Sequence, residues 1–164
     1  MKRLVVFLGA LLVSTGTAYA ADIGGTISST LAIMEDSQLV DDVTCTVTGA
    51  PCLVIAAPVT LELNGFTMTG QADPQTACNG SATANEFGIL VNAQVGAKIH
   101  GPGLVQRFRN TGILLSQSTS VRVIDVTTAT NCASGILVAG GGENEVLRNV
   151  SVRNGNGAAA CGGI

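Results

Sequence analysis

Tryptophan is absent from this 164-residue chain, and tyrosine and histidine each occur once. The one tyrosine, Tyr19, falls in the N-terminal leader, which leaves Phe66, Phe87 and Phe108 as the aromatics of the body. Clefts dedicated to sugars stack them on aromatic faces, and three phenylalanines are a thin supply. A lone His100 rules out a multi-histidine copper centre. With no C-x-x-C spacing, the usual zinc arrangements are excluded as well. No compact aspartate cluster suggests calcium. Gly140-Gly141-Gly142 lacks the strand-to-helix setting of a phosphate loop and reads as a turn. Neither a cofactor nor a metal is expected.

Basic charge is scarce too. Eight Lys and Arg stand against eleven Asp and Glu, and Lys2 and Arg3 belong to the leader. Residues 1–20 have a basic start, an apolar run from Leu4 to Val13 too short to span a bilayer, and Ala18-Tyr19-Ala20. This reads as a secretory signal peptide, with cleavage expected after Ala20; the alternative is an uncleaved membrane anchor, against which the short apolar run counts. The mature chain then carries six basic residues against eleven acids, a net charge of −5. Nucleic acid needs a dominant basic field, so it is excluded as a partner. No later stretch is apolar enough for a membrane span, so a secreted or periplasmic location is expected. Export makes disulfides the first reading of Cys45, Cys52, Cys78, Cys132 and Cys161. Cys45 and Cys52 flank Gly49-Ala50-Pro51 and pin a hairpin-like turn. Cys132 and Cys161 each precede a Gly-Ile pair and stack in adjacent coils, with Cys78 competing for the same partner. An odd count leaves one thiol over.

What the chain does have is a period. Gly88-Ile89, Gly112-Ile113, Gly135-Ile136 and Gly163-Ile164 follow one another at intervals of 24, 23 and 28. Between them lie short β-prone runs split by turn residues, with no helical stretch. Residues 87–110 read as FGILV, a break, VGAKIH, a Gly-Pro-Gly turn and LVQRF; 111–133 and 134–162 repeat the plan. Alternation such as Val121-Arg122-Val123 sends apolar groups inward and polar groups outward. Ile99, Val123 and Leu147, 24 apart, are expected to share one inward column, with Gly101, Asp125 and Asn149 at the next turn. The fold expected is all-β, a right-handed parallel β-helix of about four three-strand coils. The expected organisation is a signal peptide at 1–20, an N-terminal cap at 21–51 and coils at 52–164. The C-terminal end is read as uncapped, and the chain as a piece of a longer protein. Residues 71–86 form a polar excursion before the regular coils.

The segment Leu61-Glu62-Leu63-Asn64-Gly65-Phe66-Thr67-Met68-Thr69-Gly70 resembles L-D-L-N-G-H-x-I-x-G, common in the first coils of the exported pectin-lyase-like superfamily. Glu62 stands for the usual Asp, and Phe66 for the usual His. The resemblance spans residues 52–164 and implies architecture rather than activity. Members include polysaccharide lyases, glycosidases and uronan epimerases. Asn64, Asp125 and Asn149 resemble the polar turn ladder of such folds, a structural role.

Site chemistry is sparse. A glycosidase needs two carboxylates roughly 5–9.5 Å apart, and the regular coils offer only Asp125, Glu143 and Glu145, read as solvated turn or ladder acids. No catalytic residue is assigned. Lys98 and Arg122 can stack on one outward face, and Arg107, Arg109 and Arg153 on a neighbouring one, as a weak stripe for an acidic polysaccharide. Phe66 and Phe108 are expected in the core, and His100 as an exposed turn residue. The leading expectation is an exported scaffold or surface glycan-binding protein with no complete active site in this span. The alternative is the N-terminal part of a polysaccharide lyase, glycosidase or epimerase. An adhesin passenger is a weaker third, against which the cysteines count.

Overall fold

The computed structural model describes residues 21–71, 78, 85–155 and 163–164. The proposed signal peptide, Cys161 and most of the 71–86 excursion lie outside the described residues. Thirteen strands carry the described chain: β1 (Ala21–Ile27), β2 (Leu31–Ile33), β3 (Ser37–Cys45), β4 (Leu53–Ile55), β5 (Thr60–Glu62), β6 (Thr67–Thr69) and β7 (Ile89–Asn92). Then come β8 (Lys98–Gln106), β9 (Ile113–Thr119), β10 (Arg122–Ala129), β11 (Ile136–Gly142), β12 (Glu145–Leu147) and β13 (Val150–Val152). Among the described residues there is no helix, and every pairing between these strands is parallel.

The chain passes back and forth between two sheets. One runs β1-β3-β5-β8-β10-β12, with β6 pairing β3 and β8, and β13 pairing β10; the other runs β11-β9-β7-β4-β2. The result is all-β and parallel, compatible with a parallel β-helix. Residues 21–51, expected as a cap, supply β1, β2 and β3, which join the same two sheets as the later strands.

Alternation puts the aliphatics inside. Leu53, Ile89, Ile113 and Ile136 stack in register, all fully buried. On the other sheet Leu61, Ile99 and Val123 form a second buried column. Its next member is Val146 and not Leu147, because the last repeat is 23 residues long; Leu147 pairs with Ile124 and is 42% exposed. A shift of one residue turns a side chain to the opposite face, which explains the exchange. Phe108 is buried, and Phe66 packs against the core from a half-buried position.

Three readings of local structure need correction. Gly101-Pro102-Gly103 is no turn between strands: β8 runs through it, with a cis Gly101–Pro102 bond and a register shift opposite Asp125. His100 accordingly sits in a strand. Gly140-Gly141-Gly142 ends β11, in pairing with Ser118 and Thr119. A Cβ on Gly141 would lie 1.8 Å from the Ser118 carbonyl oxygen, with φ at +85°, so only glycine fits there.

Left-handed backbone recurs in columns: Arg107, Thr130 and Arg153 have φ of 58°, 52° and 51° at intervals of 23 residues. Asp125 and Arg148 repeat the pattern with 59° and 52°. Such values are uncommon for non-glycine residues, and here they mark the bends of successive repeats. Two disulfides are present, Cys45–Cys52 and Cys78–Cys132. The first is the pairing expected across Gly49-Ala50-Pro51, and the second resolves the competition for Cys132 in favour of Cys78. Such bonds fit an oxidising compartment. No helix of the described residues is long and apolar enough to cross a membrane.

Candidate functional site

The outward rows of the first sheet carry the chemistry. Thr60, Lys98, Arg122 and Glu145 are in-register neighbours on β5, β8, β10 and β12. Two residues further along, Gln38, Glu62, His100, Ile124 and Leu147 form a parallel row. Alternation makes both rows point away from the core, since the intervening Leu61, Ile99 and Val123 point in. Between the rows lies an open groove of about 270 Å³ lined by Thr60, Glu62, Lys98, Ile99, His100, Arg122 and Ile124. A second concavity, between the Cys45–Cys52 loop and Phe108, holds about 10 Å³, room for no more than a water.

Ion pairs tie the groove together. His100 Nδ1 lies 2.8 Å from Glu62 Oε2, and its Nε2 lies 3.9 Å from Asp125 Oδ2. The first distance is a hydrogen bond; the second is too long for one but close enough for Coulomb interaction. A carboxylate only accepts, so Nδ1 carries the donated hydrogen and Nε2 faces Asp125. Arg148 clamps Asp125 with two hydrogen bonds, Nε to Oδ1 at 2.7 Å and Nη2 to Oδ2 at 2.6 Å. That hydrogen-bonded guanidinium lowers the Asp125 pKa and in turn raises that of Arg148. Arg122 Nε donates to Glu145 at 2.6 Å. Among the described residues Lys98 has no ion-pair partner.

The residues singled out from sequence divide accordingly. Lys98 and Arg122 meet in the groove. Arg107, Arg109 and Arg153 do not join them: Arg107 and Arg153 occupy a column of bends, and Arg109 is held by Glu86. Glu86, which the sequence does not advertise, is a buried hub: Arg109 Nη2 donates to its Oε1 at 2.9 Å and the Gly49 amide to the same oxygen at 2.7 Å. It fastens the Cys45–Cys52 loop to the coil. Asp125, Glu143 and Glu145 make no facing acid pair; their partners are Arg148, Ser120 and Arg122. Among the described residues no group of three or more His, Cys, Asp or Glu is arranged to hold a metal ion.

Asn64, Asp125 and Asn149 do not line up as one ladder. Asn64 donates to the Leu39 carbonyl, while Asp125 stacks against Arg148 rather than Asn149. The real device is a set of asparagines with one geometry. Asn149 accepts the Val126 amide and donates to the Val123 carbonyl. Asn144 does the same for Val121 and Ser118, Asn154 for Asn131 and Thr128, and Asn131 for Phe108 and Val105. Each side chain reaches back 23 residues for a donor and 26 for an acceptor. The five-residue spacing of Asn144, Asn149 and Asn154 is the sequence signal that would have exposed it.

With this geometry in view, no family model, no curated protein and no solved structure matches the chain.

Proposed function

We propose that this is an exported protein built as a right-handed parallel β-helix of about four coils, resembling the pectin-lyase-like superfamily. In this reading the groove on its first sheet binds one unit of an acidic polysaccharide without processing it. The right hand follows from the preference of parallel crossovers. The single observation that carries the reading is Lys98, without an ion-pair partner among the described residues, in register beside Arg122 on a sheet locked by parallel neighbours. Among the described residues Arg122 is ion-paired through its Nε, with Glu145, so its outer nitrogens can meet a carboxylate or sulfate. Glu62 and His100 line the same groove and can accept from or donate to sugar hydroxyls. The groove is smaller than the roughly 300–1,000 Å³ of drug-sized sites, so it suits a single sugar ring.

Titration calorimetry with an oligogalacturonate and a neutral oligosaccharide tests the reading. Wild type is expected to bind the acidic one. The Lys98→Ala/Arg122→Ala double variant should weaken it by about tenfold to a hundredfold, the value of charged hydrogen bonds. Wild type that takes up neither glycan would sink the proposal.

A second reading rests on the Glu62–His100 contact at 2.8 Å, since an imidazole oriented by a carboxylate can serve as a base. It makes the chain part of a lyase, glycosidase or epimerase. Formation of unsaturated uronates for a lyase, of new reducing ends for a glycosidase, or inversion at C5 for an epimerase, abolished by His100→Gln, is the outcome this alternative requires.

A further inference from the structure

The charges around the groove nearly cancel. Lys98, Arg122 and Arg148 stand against Glu62, Asp125 and Glu145, and against Asp36, which holds the amide of groove-lining Thr60. Three cations against four carboxylates leave −1 while His100 is neutral, and zero once its imidazole takes a second proton. His100 sits in the middle of this set, on the wall of the groove, with its side chain 44% exposed. Protonation of His100 therefore decides whether the cluster repels or admits an anion.

Groups facing His100 from every packed element belong to that count. From β5 comes Glu62, from β10 Asp125 and Arg122, from β8 itself Lys98, and Arg148 reaches Asp125 from behind. From β3 the row contributes uncharged Gln38. Asp36, which accepts the Thr60 amide, lies two strands from β8, as Glu145 does on the other side, and is counted with it. Asp22, which accepts from Gln38, lies three strands away, about 14 Å at strand spacings of about 4.8 Å, where salt screens most of its effect.

We propose that the groove is a proton-gated anion site: His100 protonation removes the net negative charge of the cluster, and an anion seats between Lys98, Arg122 and His100. Glu62 fixes the geometry. It holds Nδ1–H, so the incoming proton goes to Nε2, on the side of the ring that faces Asp125. The cluster is net negative while His100 is neutral and takes up carboxylate or sulfate groups once His100 is protonated. The inference rests on the groove being the binding face proposed above, and it names what controls that face.

Inorganic sulfate is the probe, because it keeps its charge across the range where imidazole titrates. At constant ionic strength, wild type should bind sulfate about fivefold to tenfold more tightly near pH 5.5 than near pH 7.5, the effect of one added charge at close range. His100→Gln should bind it equally at both. Equal affinities in wild type, or a pH dependence that survives in the variant, overturns the proposal. A second measurement needs no variant: by linkage, saturating sulfate must raise the pH at which the His100 ring resonances titrate. A midpoint that stays put also overturns it. The glycan reading is judged apart. Sulfate binding that behaves as stated while oligogalacturonate fails to bind keeps the gate and removes the polysaccharide. Oligogalacturonate binding alike at both pH values, with sulfate indifferent to pH, does the reverse.

Discussion

Asp125 and Arg148 meet where both residues adopt left-handed backbone, one repeat apart. The Arg148 hydrogen bonds lower the Asp125 pKa, so folding favours its ionised form. Stability from this pair is therefore present above the unfolded pKa and drains away as pH falls through the lower, folded one. Wild type should lose thermal stability on acidification through the carboxylate range. Arg148→Met should start lower and lose less across the same interval, and melting curves with parallel slopes would contradict this. At this scale the sequence was partly legible. Asn149 and Asp125 stood out as polar bend residues, and Lys98 with Arg122 as an outward pair. Asn131, Asn144 and Asn154 are obscured because the columns through Val123 and Asp125 are read at intervals of 24, whereas the step from β10 to β12 is 23. That single residue also hid the Asp125–Arg148 match. Glu86 is obscured for another reason: it ends the polar excursion before the regular coils, so Arg109 one 23-residue repeat on is not matched to it, and Gly49 is 37 residues away with no periodic signal.

Strands proved easier to foresee than the bends between them. Alternating aliphatics marked β7, β9 and β11, because period-2 burial needs no tertiary information. Gly101-Pro102-Gly103 misled because a turn composition can equally absorb an extra residue within a continuous strand. Disulfide pairing lay beyond sequence, apart from the close pair Cys45–Cys52. The two bonds enclose very different stretches, 7 residues for Cys45–Cys52 and 54 for Cys78–Cys132. Loop-closure entropy predicts stabilisation of about 2.4 and about 4.2 kcal/mol respectively. Chemical denaturation of Cys45→Ser/Cys52→Ser and Cys78→Ser/Cys132→Ser variants should thus differ by about 2 kcal/mol, with the second weaker. Equal losses would show that the length of chain between the bonded cysteines is not what sets their contribution.

Taken whole, the molecule segregates its charge. The strands β2, β4, β7, β9 and β11 of the second sheet contain no Asp, Glu, Lys or Arg, whereas β1, β3, β5, β8, β10 and β12 all do. Function is accordingly sought on one face only. Because each repeat touches just its neighbours, the stack should accept a further unit. A tandem copy of residues 112–134, carrying Cys132→Ser in the added unit, is expected to fold with an unchanged β spectrum and at least the parental melting temperature. Adding eleven residues at the same point throws every inward side chain out of register and should yield aggregate. If both insertions fold equally well, stacking in register is not what holds the chain. The corner asparagines have one more consequence. Each clips its own loop to the one beneath by a carboxamide, like rungs laced at the edge, so tension applied along the axis should unlace the molecule in discrete jumps. Every jump would release 23 residues, about 80 Å of slack at roughly 3.5 Å per residue, giving a sawtooth under a force probe rather than a smooth ramp.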